Sequence, residues 1–141
     1  MKEMVHFISR DQWPTMWPAL YARLAPGGRV VIMLRPQRTE FPFSRGMVAT
    51  WEKLWGCQGM EEAIEAAGFE LQSFEAKYPL SMTKREWLTL LASRFWSNLA
   101  EEHLSADQLA SDLEELQASL PEGELSWNDT FTILVCVKPE K

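Results

Sequence analysis

The apolar positions of this chain fall into blocks with different periods. Met4-Val5-His6-Phe7-Ile8 is a short apolar run suited to the end of a buried strand. Trp13, Trp17, Leu20, Tyr21 and Leu24 then recur at three- and four-residue spacing, which predicts a helix over about 12–24 lying on a sheet. Ser9 and Asp11 both suit its N-cap, and Pro14 fits its first turn. Pro18 sits deeper and predicts a kink or a delayed start to the regular helix. Ala25-Pro26-Gly27-Gly28 ends it, with glycine supplying the positive φ of a sharp reversal. Arg29 to Leu34 is continuously apolar after its first residue and rich in β-branching, the pattern of a strand covered on both faces. Strand, helix, tight turn and buried strand make a βαβ unit, right-handed with parallel strands.

Residues 35–59 read as a long loop with one short helical turn, broken by Pro36, Pro42, Gly46, Gly56 and Gly59. Residues 60–67 predict a short helix ended by Gly68, and Phe69–Tyr78 a looser strand. Thr83-Lys84-Arg85-Glu86 and Ser105-Ala106-Asp107-Gln108 are capping-box patterns, opening helices to about Asn98 and about Leu120. Thr130–Val137 is a strong buried strand, with 124–127 pairing briefly beside it across Asn128-Asp129. The expected architecture is α/β in one domain, 1–141, with residues 80–127 forming a helical cap inserted in it.

Composition narrows the class. With 141 residues, 46% of them hydrophobic, seven Trp and seven Phe, the chain has material for a core and is not disordered. No apolar run reaches the ~18 residues of a membrane-spanning helix, and the N-terminus has no signal-peptide core. The expectation is a soluble, cytoplasmic domain. Cys57 and Cys136 are too few for a disulfide framework or a metal site. The net charge of −6 is uneven: residues 1–60 hold eight Lys/Arg against four Asp/Glu, and 61–141 hold six against sixteen. An acidic chain argues against nucleic acid as a partner, while the basic front half suits an anionic ligand. The acidic half reads as solvated helix faces or as a docking surface.

Catalytic patterns are scarce. There is no Walker loop, GxSxG elbow, HExxH or GxGxxG. Gly27-Gly28 lies between a helix and a strand, the reverse of a dinucleotide fingerprint. His6 stands at a strand end, where open α/β sheets place ligands, or is a hydrogen-bonded packing residue. His103, beside Glu101 and Glu102, reads as solvated surface. Trp51, Trp55, Trp87, Phe95 and Trp96 line an apolar pocket or pack the core.

Four elements in order carry a resemblance. Glu3-Met-Val-His-Phe-Ile8, the following helix, and Leu24-Ala-Pro-Gly-Gly-Arg-Val-Val-Ile32 are similar to the second half of class I S-adenosylmethionine-dependent methyltransferases. Glu61-Glu-Ala-Ile-Glu-Ala-Ala-Gly-Phe69 resembles that family's entry to its next strand, and Thr130–Val137 its last strand, which runs antiparallel between the preceding two. The resemblance implies a partial Rossmann-like sheet: two parallel strands, an antiparallel last strand and a short N-terminal strand, with a helical cap. It implies methyl transfer from S-adenosylmethionine to a small molecule, a displacement that depends on positioning more than on acid–base groups. His6 or Glu3 would act as base or orienting group; Lys2, Arg35, Tyr78, Trp87 and Trp96 would contact substrate; no metal is implied.

The family's Gly-rich cofactor loop and ribose-binding acid have no counterpart in this sequence. With Met1 as the true start, the chain is a truncated fold that does not hold S-adenosylmethionine alone. The open sheet edge such a fold leaves is a template for pairing, predicting a homodimer or a separate chain that supplies the missing half. The alternative is a non-catalytic remnant acting as a dimerisation or partner-binding module.

Overall fold

A computed structural model describes Met1 and residues 4–140, apart from the His6 side chain. The architecture is α/β, and the chain forms two compact units. The first comprises Met1–Pro36, Trp55–Ala76 and Thr130–Lys141; the second comprises Gln37–Leu54 and Lys77–Asp129. The second is thus wider than the expected 80–127 cap.

In the first unit, α1 (Trp13–Arg23) follows two single 3-10 turns, Val5–Phe7 and Arg10–Gln12. The expected strand at residues 4–8 is not formed. A strand would put Val5 and Phe7 on one face, yet Val5 is wholly buried and Phe7 is 69% exposed; a tight turn separates them. The βαβ unit of the sequence pattern therefore lacks its first strand. What remains of it is Met1, whose backbone N donates to the Val31 carbonyl and whose carbonyl accepts from Met33 N at 2.7 Å. Ser9 does not cap α1, because its hydroxyl bonds the Asp11 carboxylate, and Pro18 sits inside α1 without interrupting it.

β1 (Arg29–Leu34) forms where the apolar run predicts. Its inward residues Ile32 and Leu34 join Leu134 and Cys136 in one core with Trp13 and Trp17 of α1 and Met60 and Ile64 of α3 (Met60–Ala66). Burying each such large side chain contributes roughly 1.5–3 kcal/mol. β1 pairs antiparallel with β3 (Glu124–Val137), in register from Arg29↔Val137 to Leu34↔Thr132. β3 lies between β1 and β2 (Glu70–Thr83) in the strand order β1-β3-β2. The last strand is therefore central and antiparallel to β1.

Both later strands exceed their sequence limits. β2 runs to Thr83 instead of ending at Tyr78, passing through Pro79, which an edge strand tolerates. Residues 124–137 form one continuous strand, so the expected break at Asn128-Asp129 is absent. There the Asn128 side chain donates to Glu40 Oε2 at 3.0 Å and Asp129 is buried.

In the second unit, the expected loop contains a ten-residue helix, α2 (Arg45–Leu54), started by Ser44 Oγ accepting from Met47 N at 3.0 Å. α4 (Lys84–Ala92) opens with a complete capping box in which Thr83 and Glu86 bond reciprocally. α4 ends at Ala92, short of the expected Asn98. Arg94 turns the chain with φ +53 and donates its guanidinium to the carbonyls of Leu99 and Leu104. α5 (Ala106–Ser119) carries half a box: Ser105 accepts from Gln108 N, while the Gln108 side chain bonds Asp112. Phe41, Met47, Trp87, Leu91, Leu116 and Trp127 contribute to this unit's core. Among the described residues, no helix is long and apolar enough to cross a membrane.

Candidate functional site

In the first unit, Arg35 follows directly on β1. Strand pairing stops at Leu34, and Pro36 cannot donate to a ladder, so Arg35 stands at the carboxyl end of the strand. The Arg35 carbonyl accepts from Trp55 Nε1 at 2.8 Å, which fixes its backbone. Its guanidinium carbon lies 4.6 Å from the centroid of the Phe131 ring. Arg35 is half-buried, so the charge is partly shielded from bulk water.

The other sequence-predicted residues are not gathered around it. Lys2 and Glu3 lie outside the described residues, and His6 has its backbone in the first 3-10 turn with its side chain outside the description. Tyr78, Trp87 and Trp96 belong to the second unit. There Trp87 and Trp96 meet with ring centroids 5.9 Å apart. Trp87 is wholly buried, and its Nε1 donates to the Pro42 carbonyl at 2.9 Å. It is part of the second unit's hydrophobic core. Trp96 is half-buried, and Tyr78 stands 53% exposed on β2. Of the aromatic set, Trp51 and Trp96 share a ring cluster with Phe41 and Phe43 in the second unit, whereas Trp55 packs in the first.

Sequence reasoning passed over Glu40. It lines a groove of about 440 Å³ together with Pro79, Ser81, Ser126, Trp127 and Asn128. The Asn128 side-chain amide holds the Glu40 carboxyl below the ordinary carboxylate range, helped by the Asn128 backbone N–H and Lys77 against a desolvation penalty. Lys77 Nζ is 3.6 Å from its other oxygen. Nothing local in the sequence marks Glu40, because its partners are remote in the chain. A second groove, of about 500 Å³, runs between α4 and α5, with Leu88, Ala92 and Leu113 in its lining and Lys84, Arg85 and Glu114 among its charged groups.

The Gly27-Gly28 turn is closed against the chain: Gly27 N donates to the Lys138 carbonyl at 2.9 Å, and the Gly28 carbonyl accepts from Lys138 N at 2.8 Å. It joins α1 to β1, so it is not a strand-to-helix cofactor loop. Among the described residues no strand leads into a glycine-rich turn that would hold S-adenosylmethionine: β1 is followed by Arg35-Pro36, and β2 runs directly into α4. The described residues also include no cluster of three or more His, Cys, Asp or Glu able to hold a metal.

No family profile and no curated protein matches the chain. Solved structures do. Three of the solved structures it matches carry methyltransferase in their names. Haemonchus contortus phosphoethanolamine N-methyltransferase 2 appears in complex with phosphomonomethylethanolamine and S-adenosylhomocysteine (15% identity, TM-score 0.40) and with S-adenosyl-L-methionine (18% identity, TM-score 0.40). Each alignment covers 98% of this chain but only 32% of that protein. A Bacillus halodurans protein named as a methyltransferase aligns at 13% identity and TM-score 0.46, over 89% of this chain and 58% of its own. The chain thus spans about a third of the first two.

Proposed function

We propose that this chain is the substrate-side half of a class I S-adenosylmethionine-dependent methyltransferase-type fold, incomplete by itself for methyl transfer to a small molecule. The single observation that supports this reading most is the strand order, with β3 inserted between β1 and β2 and antiparallel to β1. In this reading β1 and β2 run parallel, and β3 is the family's inserted last strand.

The chain contributes positioning. Arg35, braced by Phe131 and by the Trp55 bond to its carbonyl, holds an anionic group of the acceptor at the strand end. By resemblance, His6 or Glu3 orients the acceptor or takes its proton. Because no strand of the described residues leads into a glycine-rich loop, no step of the transfer is assigned to a cofactor held here. A separate chain or a further segment supplies that part. The rival reading is a non-catalytic remnant acting as a dimerisation or partner-binding module, which the 47% exposed Val31 on β1 would suit.

Calorimetric titration of the purified chain with S-adenosylhomocysteine tests the proposal. The expected result is no saturable heat up to millimolar ligand from a folded sample. Saturable one-to-one binding would mean that the chain holds a complete cofactor site, and the half-site reading would fail.

A further inference from the structure

The second unit holds a polar groove whose walls follow from strand alternation. On β3, Leu125 and Trp127 are buried, so the intervening Ser126 and Asn128 lie on the opposite face. On β2, Lys77, Pro79 and Ser81 alternate in the same way, and all three are exposed. Glu40 reaches this face from the segment before α2 and is tied there by Asn128. Its Oε2 accepts from Asn128 Nδ2 at 3.0 Å and from Asn128 N at 3.4 Å. Its Oε1 lies 3.6 Å from Lys77 Nζ, longer than a hydrogen bond. The groove that these residues line, about 440 Å³ and wholly within the second unit, falls in the roughly 300–1,000 Å³ range of small-molecule sites.

Charge decides what such a groove can take. An anion meets the Glu40 carboxylate in a unit that carries seven Lys/Arg against twelve Asp/Glu, and is repelled. A cation meets the Lys77 ammonium, which already stands within ion-pair distance of the same carboxylate. A neutral ligand with several hydroxyls meets neither obstacle. Its O–H groups donate to Glu40 Oε1, while the Ser81 and Ser126 hydroxyls and the Asn128 amide both donate and accept. Pro79 and Leu80 in the lining offer apolar surface to its C–H groups.

We propose that this groove binds a neutral polyhydroxylated molecule, a sugar or polyol, with the Glu40 carboxylate as its central acceptor and Asn128 as the residue that positions it. The bonds from Asn128 keep the Glu40 carboxyl ionised by holding it below the ordinary carboxylate range, and a charged acceptor makes a hydrogen bond about twice as strong as a neutral one. Strength is limited by water. The Glu40 side chain is 47% exposed, so ligand hydroxyls compete with solvent, and the dissociation constant is on the order of 1 mM.

Titration of the isotope-labelled chain with D-glucose, D-galactose, D-ribose and myo-inositol, followed by NMR, reads the result at the Asn128 side-chain amide and at the backbone N–H groups of Ser81 and Ser126. The expected result is a saturable shift of these signals with at least one of the probes. Glu40→Gln keeps the shape and removes the charge, and should weaken that binding about tenfold. Ser126→Ala leaves the Glu40–Asn128 pair in place and should weaken it less, which keeps the test open if Glu40→Gln folds poorly. No saturable shift with any probe into the tens of millimolar overturns the proposal. So does binding indifferent to Glu40→Gln in a chain with an unchanged thermal melt, or to Ser126→Ala. Inorganic phosphate or ethylammonium shifting the same signals as strongly would overturn it as well. The groove does not depend on the methyl-transfer reading, so either can fail while the other stands.

Discussion

Lys84 offers the sharpest test of how the second unit is held. It is only 4% exposed, yet its Nζ donates to the carbonyls of Gln117 at 2.6 Å and Leu120 at 3.0 Å and to Glu122 Oε1 at 2.7 Å. The two carbonyls belong to the end of α5, which has no further turn to satisfy them. The ammonium both caps these groups and sits at the negative end of the helix dipole, an interaction worth up to ~2 kcal/mol when partly buried. Charge-assisted hydrogen bonds contribute about 1.5–3 kcal/mol each, set against a desolvation penalty of several kcal/mol for the buried ammonium. Lys84→Met keeps the length of the side chain and removes the charge, and the balance predicts a loss of about 2–3 kcal/mol. Glu122 is a different matter. Its side chain is 84% exposed, so Glu122→Gln should cost about 0.5 kcal/mol or less. Urea unfolding followed by far-UV circular dichroism and tryptophan fluorescence measures both. A Lys84→Met change within about 0.5 kcal/mol of wild type, or a Glu122→Gln loss as large as that of Lys84→Met, would refute the assignment of the stabilisation to the helix carbonyls.

Gly46→Ala should destabilise, although glycine to alanine in a helix normally gains about 1 kcal/mol. A Cβ there would stand 2.7 Å from Asp112 Oδ1 and 2.8 Å from Oδ2, so a loss of about 1–3 kcal/mol is expected, and Asp112→Ala in the same background should recover much of it. Chemical denaturation of the single and double variants decides the sign. Burial pushes the Cys136 thiol from 9.0 up to about 11. The folded state therefore keeps a proton that the unfolded state releases, and stability falls as pH rises from about 9 to 11, at up to about 1.4 kcal/mol per pH unit. Denaturation curves across that range should be flatter for Cys136→Ala; identical slopes would contradict the burial effect.

What was legible in the sequence was local. β1, α3 and the Thr83 and Ser105 helix starts depend on runs, spacings and caps within a few residues, and each formed close to its expected place. The losses came where a distant residue decides the conformation. Gly46 and Pro42 made 35–59 look like loop, yet Gly46 sits inside α2 because the Asp112 carboxylate occupies the space a side chain would need. Asn128-Asp129 looked like a turn, but Asn128 is held by Glu40, 88 residues away, and β3 runs straight through. The candidate site divides the same way. Arg35 follows from its place at the end of an apolar strand. Glu40 draws its low pKa from partners that only folding brings to it, and the burial of Trp87 comes from packing that helical spacing alone did not distinguish from a pocket wall.

Both units solve one physical problem with the same group, and the solution separates structure from chemistry along β1. Lys138 donates its Nζ to the carbonyls of Tyr21 and Leu24 at the end of α1, at 2.9 and 2.8 Å, and lies 4.7 Å from the Tyr21 ring centroid. Like Lys84 on α5, it neutralises the negative end of a helix whose last carbonyls have no helical partners. Its own backbone closes the Gly27-Gly28 turn through two hydrogen bonds. All of this stands where β1 begins, since Arg29 pairs with Val137, next to Lys138. Arg35 follows the other end, about 20 Å away along six strand residues at 3.3 Å each. Ligands of open α/β sheets bind beyond the carboxyl ends of strands. The glycine turn, read in sequence as a sharp helix-to-strand reversal, is thus committed to holding helix and strand together. At the opposite end Arg35 rests on the Phe131 ring.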